Sequence, residues 1–138
     1  MKIISRLRKS EKGQSLVEFA LVLPILLMLV LGVLEFGWML NAKVTVNSAA
    51  REGARTRAAL GFSSVYNSTY ETAANKAITD ALKTSNITLV VQPTYQIKSD
   101  TEGGNMVTVT ISTNVNPLIG IFVNGTQTIG GYASMRLE

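Results

Sequence analysis

Residues 12–24 read "KGQSLVEFALVLP", and the chemistry open to that stretch rests on Gly13, Gln14 and Glu18. Glu18 stands at the entrance to a long apolar run, directly behind a basic segment that ends in glycine. An acidic residue at the centre of a membrane helix costs roughly 2.5–3.5 kcal/mol, less near the interface, and such residues ordinarily have a partner. Two readings are open on residue chemistry alone. Glu18 could sit at the headgroup level, in water. Alternatively, a cut after Gly13 would remove the basic segment and make Gln14 the new N-terminus. Its α-amino group, with a reference pKa of about 7.7–8.0, would be largely cationic at neutral pH. Positions 14 and 18 lie one helical turn apart on one face. The new cation could therefore meet the carboxylate within one chain or between adjacent chains.

The basic segment, residues 1–13, holds Lys2, Arg6, Arg8, Lys9 and Lys12 against Glu11, while the remaining eight bases balance eight acids. The formal charge of +4 thus belongs to a short leader and not to a basic surface, so no nucleic-acid partner is expected. The 138 residues include no cysteine and no histidine. Disulfides, thiolate chemistry and the commonest general base and metal ligand are excluded together. With scattered acids and no glycine-rich phosphate loop behind a strand, an enzyme is not expected, and no cofactor or metal is implied.

Residues 19–34, "FALVLPILLMLVLGVL", carry no charge, and across Glu35 the apolar character continues to Leu40. As a helix, residues 19–40 would be about 33 Å long, which matches the hydrocarbon core of a bilayer. A secretory signal peptide has a shorter apolar core and a small-residue cleavage site behind it. A chain of this length could not surround such a helix as a buried core. Membrane insertion is the expected state, with the leader bases holding the N-terminus in the cytoplasm. Pro24 removes one backbone hydrogen bond and should kink or loosen the helix. Glu35 is expected to face headgroups or water near the far interface, where Trp38 would serve as an anchor.

The basic leader, Gly13, a glutamate five residues past the cut and the apolar helix resemble the type IV prepilin class. More specifically, "GQSLVEFALVLPILLMLVLGVLEFG" followed by "AAREGAR" (49–55) resembles the TadE-like proteins, pilin-like subunits of the tight-adherence (Tad, or Flp) pilus machinery. The closing "GYASMRLE" is similar to that family's ending. The chain is somewhat short for the family and lacks cysteines that some members carry. The resemblance implies cleavage after Gly13 by a prepilin peptidase on the cytoplasmic side, with the helix retained. It also implies other pilin subunits, a pilus assembly ATPase and a membrane platform protein as partners, beside the lipid bilayer. Gln14, Glu18 and Pro24 would then serve assembly.

Beyond the membrane, "NAKVTVNSAAREGARTRAALG" keeps helical pitch, with Ala49, Gly53, Ala50, Ala54 and Ala58 forming small-residue ridges that permit close packing. Glu52 and Arg55 form an i,i+3 pair. By residue chemistry Arg51, Arg55 and Arg57 favour a solvated face, with anion binding or contact with an adjacent subunit as the alternative. The resemblance shifts this cluster toward a structural or assembly role, and Glu35, Arg51, Glu52 and Arg55 are candidate subunit contacts. Gly61 is the expected helix stop.

Residues 70–84 predict a short amphipathic helix, and 86–97 a strand that Pro93 makes an edge or breaks. Residues 106–115 predict the clearest strand, with Val107, Val109, Ile111 and Val115 alternating with polar residues. "NPLIGIFVNG" (116–125) is either a strand or a loop resting on the long helix, and a last strand is expected at about 127–137. The expected fold is α+β: a long N-terminal helix, transmembrane in its first half and soluble in its second, packed on a small antiparallel sheet, pilin-like. The expected division is a leader (1–13), a spine helix (14–60) and an extracytoplasmic domain (61–138). The expected function is a minor pilin or pseudopilin, first in the cytoplasmic membrane and then at the cell surface. A signal-anchored binding module that never polymerises is the alternative.

Overall fold

A computed structural model describes residues 11–61, 68–83, 85, 87–99 and 103–137. Helix α1 runs Glu11–Ala59, helix α2 Ser68–Lys83, and strands β1, β2 and β3 span Thr94–Ser99, Asn105–Val115 and Gln127–Arg136. The strands form one antiparallel sheet in the order β1-β2-β3.

Helix α1 continues unbroken through Pro24. Its two halves live in different surroundings. Residues 13–30 are exposed almost throughout, including Leu21 and Leu29, whereas Ala42, Val46, Ala49, Ala50 and Ala54 are buried. The small-residue ridge is the seat of the head. At Gly53 a β-carbon would stand 2.5 Å from both Cγ1 and Cδ1 of Ile78, so α2 lies against bare helix backbone there. The helix stops where expected: Gly61 takes φ 81 and its N–H donates to the Ala58 carbonyl at 3.1 Å.

Helix α2 buries Ala74, Ile78 and Leu82, one residue per turn. Glu71 in its first turn and Lys83 in its last complement the helix dipole. Strand β2 is buried at Val107, Val109, Ile111, Thr113 and Val115, every second residue. Thr113 joins this apolar row because its hydroxyl donates to the Thr88 carbonyl, which satisfies a polar group that would otherwise be costly to bury. Across the sheet Tyr95, Val109 and Ala133 align, and that face meets α1 and α2.

One expectation is corrected, and one that was open between two readings is decided. The strand predicted over 86–97 is regular only from Thr94 onward, and before it a single bridge joins Leu89 to Thr113. Pro93 has no N–H for the ladder and is buried just ahead of β1. Residues 116–125 form the loop resting on the long helix and not a strand.

Tyr95 ties β1 to α2, its hydroxyl donating to Asn75 Oδ1 at 2.6 Å. Burial, and next the nearby Glu71 charge, push this phenol up to about 12, against a smaller opposing pull from Arg57. An unfolded tyrosine ionises near 10, so the unfolded chain releases its proton first as pH rises. The Tyr95 contribution is complete below about pH 10 and disappears by about pH 12. Alkaline unfolding midpoints of the wild type and Tyr95→Phe should converge across that window. At neutral pH the variant should be less stable by about 0.5–1.5 kcal/mol for the lost hydrogen bond.

Candidate assembly surface and the buried Glu35 site

Gly13, Gln14, Glu18 and Pro24 all lie exposed on the bare half of α1. The Gly13–Gln14 bond lies near the start of the described part of α1. Glu18 makes no ion pair among the described residues. A continuous helix sets Gln14 and Glu18 one turn apart on one face. Chemically the surface offers an acid and bare hydrocarbon. The five leader bases include four that fall outside the described residues: Lys2, Arg6, Arg8 and Lys9.

Glu35 corrects the sequence reading. Its side chain is 1% exposed, not facing water or headgroups. The backbone N–H of Gly120 donates to Oε1 at 3.0 Å and that of Phe122 to Oε2 at 3.4 Å. One turn on, Trp38 Nε1–H donates to the Asn116 carbonyl at 3.2 Å. The β2–β3 loop is thus fastened to α1 at both ends of its apolar stretch. Backbone donors carry no sequence signature, so nothing in residues 116–122 announced a carboxyl group's partners. The one legible hint was an acid inside an apolar run.

Within AAREGAR, Ala49, Ala50, Gly53 and Ala54 point into the head while Arg51, Glu52 and Arg55 point outward. Glu52 and Arg55 form no ion pair among the described residues. Arg51 borders a groove of about 400 Å³ with Asn47, Tyr132 and Ser134 on the β3 side. Arg57 departs from the expected solvated cluster, being only 5% exposed. Its guanidinium donates to the Gly61 carbonyl at 3.0 Å and stacks 5.2 Å from the Tyr70 ring centroid. It closes the C-terminal end of α1, where a cation is favoured by the helix dipole.

A second cavity, about 530 Å³, opens between α2 and residues 87–92. Its one acid, Asp80, is paired at the surface with Lys76 at 2.7 Å and Lys83 at 3.7 Å. The hydrogen bond from Lys76 holds this carboxyl below its usual range. Among the described residues no cluster of three or more acids stands ready for a metal ion.

A long helix, bare and apolar in one half and seated on a small antiparallel sheet in the other, defines a pilin-like α+β protein. The family model described as TadE-like protein matches residues 13–55, and over that segment the chain is TadE-like. The matched segment starts at Gly13, spans the apolar run with Glu18, Pro24 and Glu35, and ends with Arg55 of AAREGAR. Comparisons with curated proteins and with solved structures gave no match. A TadE-like segment implies a pilin-like protein associated with Tad pili.

Proposed function

We propose that this chain is a minor pilin or pseudopilin of a Tad/type IV-like pilus, cut after Gly13 and assembled through α1. The observation that carries the reading is the apolar helix surface of residues 13–30, which the head leaves uncovered. A buried large apolar side chain is stabilised by roughly 1.5–3 kcal/mol relative to water. The dozen or so on this surface forbid a free soluble monomer, leaving a bilayer or a bundle of like helices as surroundings. Before assembly the chain crosses the cytoplasmic membrane once, its N-terminus in the cytoplasm and its head outside. The leader charge supports that orientation.

Because lipid and a helix bundle are similarly apolar, passage between them lacks a hydrophobic driving force. Register falls to the Gln14 ammonium and Glu18, and extraction to outside work. A secretion ATPase acting through a membrane platform protein is the source we propose. Arg51, Glu52 and Arg55, exposed beside the head, are available for contacts between subunits.

Co-expression with a prepilin peptidase and intact-mass measurement decide the matter. The purified chain should begin at Gln14, and a Gly13→Leu variant should keep its leader. A chain that still begins at Met1 in cells holding the peptidase would be a signal-anchored binding module instead.

A further inference from the structure

The β2–β3 loop lies in a stretch, residues 103–135, without a single charged residue. From it Leu118, Ile121 and Phe122 project 56%, 55% and 47% exposed. They are held against α1 at a defined height. The Phe122 ring lies 3.5 Å from where a β-carbon on Gly32 would stand. With Met28, Leu29, Val33 and Phe36 of α1 it borders an open apolar groove of about 530 Å³.

We propose that this loop is a lipid-inserted wedge: it enters the hydrocarbon of the leaflet on the head side, where acyl chains fill its groove and Glu35 holds it in place. The inference rests on the membrane-spanning reading of α1. Depth supports it. Gly32 stands eight residues before Leu40, about 12 Å along the helix. If residues 19–40 cross a core of about 30 Å, Phe122 lies well inside its boundary. Lys43, whose ammonium donates to the Gly130 carbonyl, is the first cation beyond the apolar run and falls at headgroup height. Trp38 sits between the two, where interfacial aromatics gather.

The hydrogen bonds fit the same surroundings. Irregular backbone at membrane depth is tolerated when protein groups satisfy its donors. Glu35 accepts from two N–H groups of the loop, and those donors in turn relieve an acid placed inside an apolar run. In water neither group would need the other. The exposed apolar side chains also continue the bare face of α1 without a break at Leu29, Val33 and Phe36, so acyl chains are the occupant that requires no further surface. A neighbouring subunit's helix is the competing occupant.

The chain has no native cysteine, so single nitroxide labels report depth directly. Leu27→Cys, Ile121→Cys and Lys98→Cys are placed in the full chain and reconstituted into phosphatidylethanolamine–phosphatidylglycerol vesicles. Power-saturation spectra are recorded with oxygen and with nickel ethylenediaminediacetate. At positions 27 and 121 the oxygen-to-nickel accessibility ratio should exceed that at position 98 several-fold. A label at 121 open to nickel while that at 27 is shielded overturns the wedge and leaves the membrane span standing. A label at 121 closed to both probes means that protein covers it, which overturns lipid as the occupant. Nickel access at 27 removes the span and the wedge together. Adding Glu35→Ala to Ile121→Cys should raise nickel access at 121 several-fold, and an unchanged depth overturns Glu35 as the tether.

Discussion

Replacing Gly131 with valine should destabilise the head by about 1–3 kcal/mol or more, while the same change at Gly130 should stay within about 0.5 kcal/mol. The two residues are neighbours on β3, paired with Ile111 and Ser112 of β2, and their faces are opposite. A β-carbon at Gly131 would stand 2.9 Å from Val46 Cγ1, 3.0 Å from the Val46 carbonyl oxygen and 3.1 Å from Asn47 Oδ1. A side-chain atom can rotate away, but the Val46 carbonyl belongs to the backbone of α1. Relief therefore requires lifting the sheet from the helix along its whole contact. At Gly130 the one neighbour within 4 Å is the Ile111 carbonyl oxygen at 3.8 Å, ordinary contact distance, and the residue faces solvent. Strand propensity alone favours valine at both positions, so any difference measures the helix–sheet approach. Urea titration of the full chain in detergent should show a lower midpoint for Gly131→Val with an unchanged slope. Equal midpoints for the two variants would mean that β3 does not rest on α1 at Val46.

How far the sequence reached depended on whether a partner was local. Strand β2 could be read from a period of two and α2 from its apolar face, because both patterns reside in consecutive residues. The ridge of alanines and glycine in α1 announced a close neighbour without saying which, and the structure supplies α2 at Gly53. Glu35 could not be placed in this way. Its donors lie 85 and 87 residues away and are main-chain N–H groups, which every non-proline residue carries. Arg57 was missed although a local signal existed: it shares the residue type of Arg51 and Arg55, but its two-residue offset from Arg55 puts it on another face of the helix, inward toward Gly61 and Tyr70. For the exposed end of α1 the position is reversed. Gly13, Gln14 and Glu18 were conspicuous in the sequence, and one folded chain supplies them with no environment to read, since their proposed partners come from processing and from other subunits.

Substituting Glu18 by alanine should leave processing after Gly13 intact and lower filament yield at least about a hundredfold. In the proposed reading cleavage depends on recognition of the leader and of the Gly13–Gln14 bond, and Glu18 lies a turn away, exposed on the helix. Assembly is different. Once the leader is gone, the Gln14 ammonium enters an apolar bundle with its carboxylate missing. An unpaired buried charge costs about 3–5 kcal/mol, and each 1.4 kcal/mol is a factor of ten in an equilibrium constant. The loss falls on every subunit added, so long filaments suffer most. Lipid does not impose the same penalty on the variant, because the terminal ammonium can remain at the cytoplasmic headgroups. The bilayer-stored form therefore gains relative to the filament, and processed subunits should accumulate in the membrane fraction. Intact mass of that fraction, beginning at Gln14, together with immunoblotting of filaments sheared from the cell surface, separates a processing defect from an assembly defect. Wild-type filament yield from the Glu18→Ala chain would remove the ion pair as the source of register. The head and the hydrophobic surface of α1 would then have to align the subunits on their own.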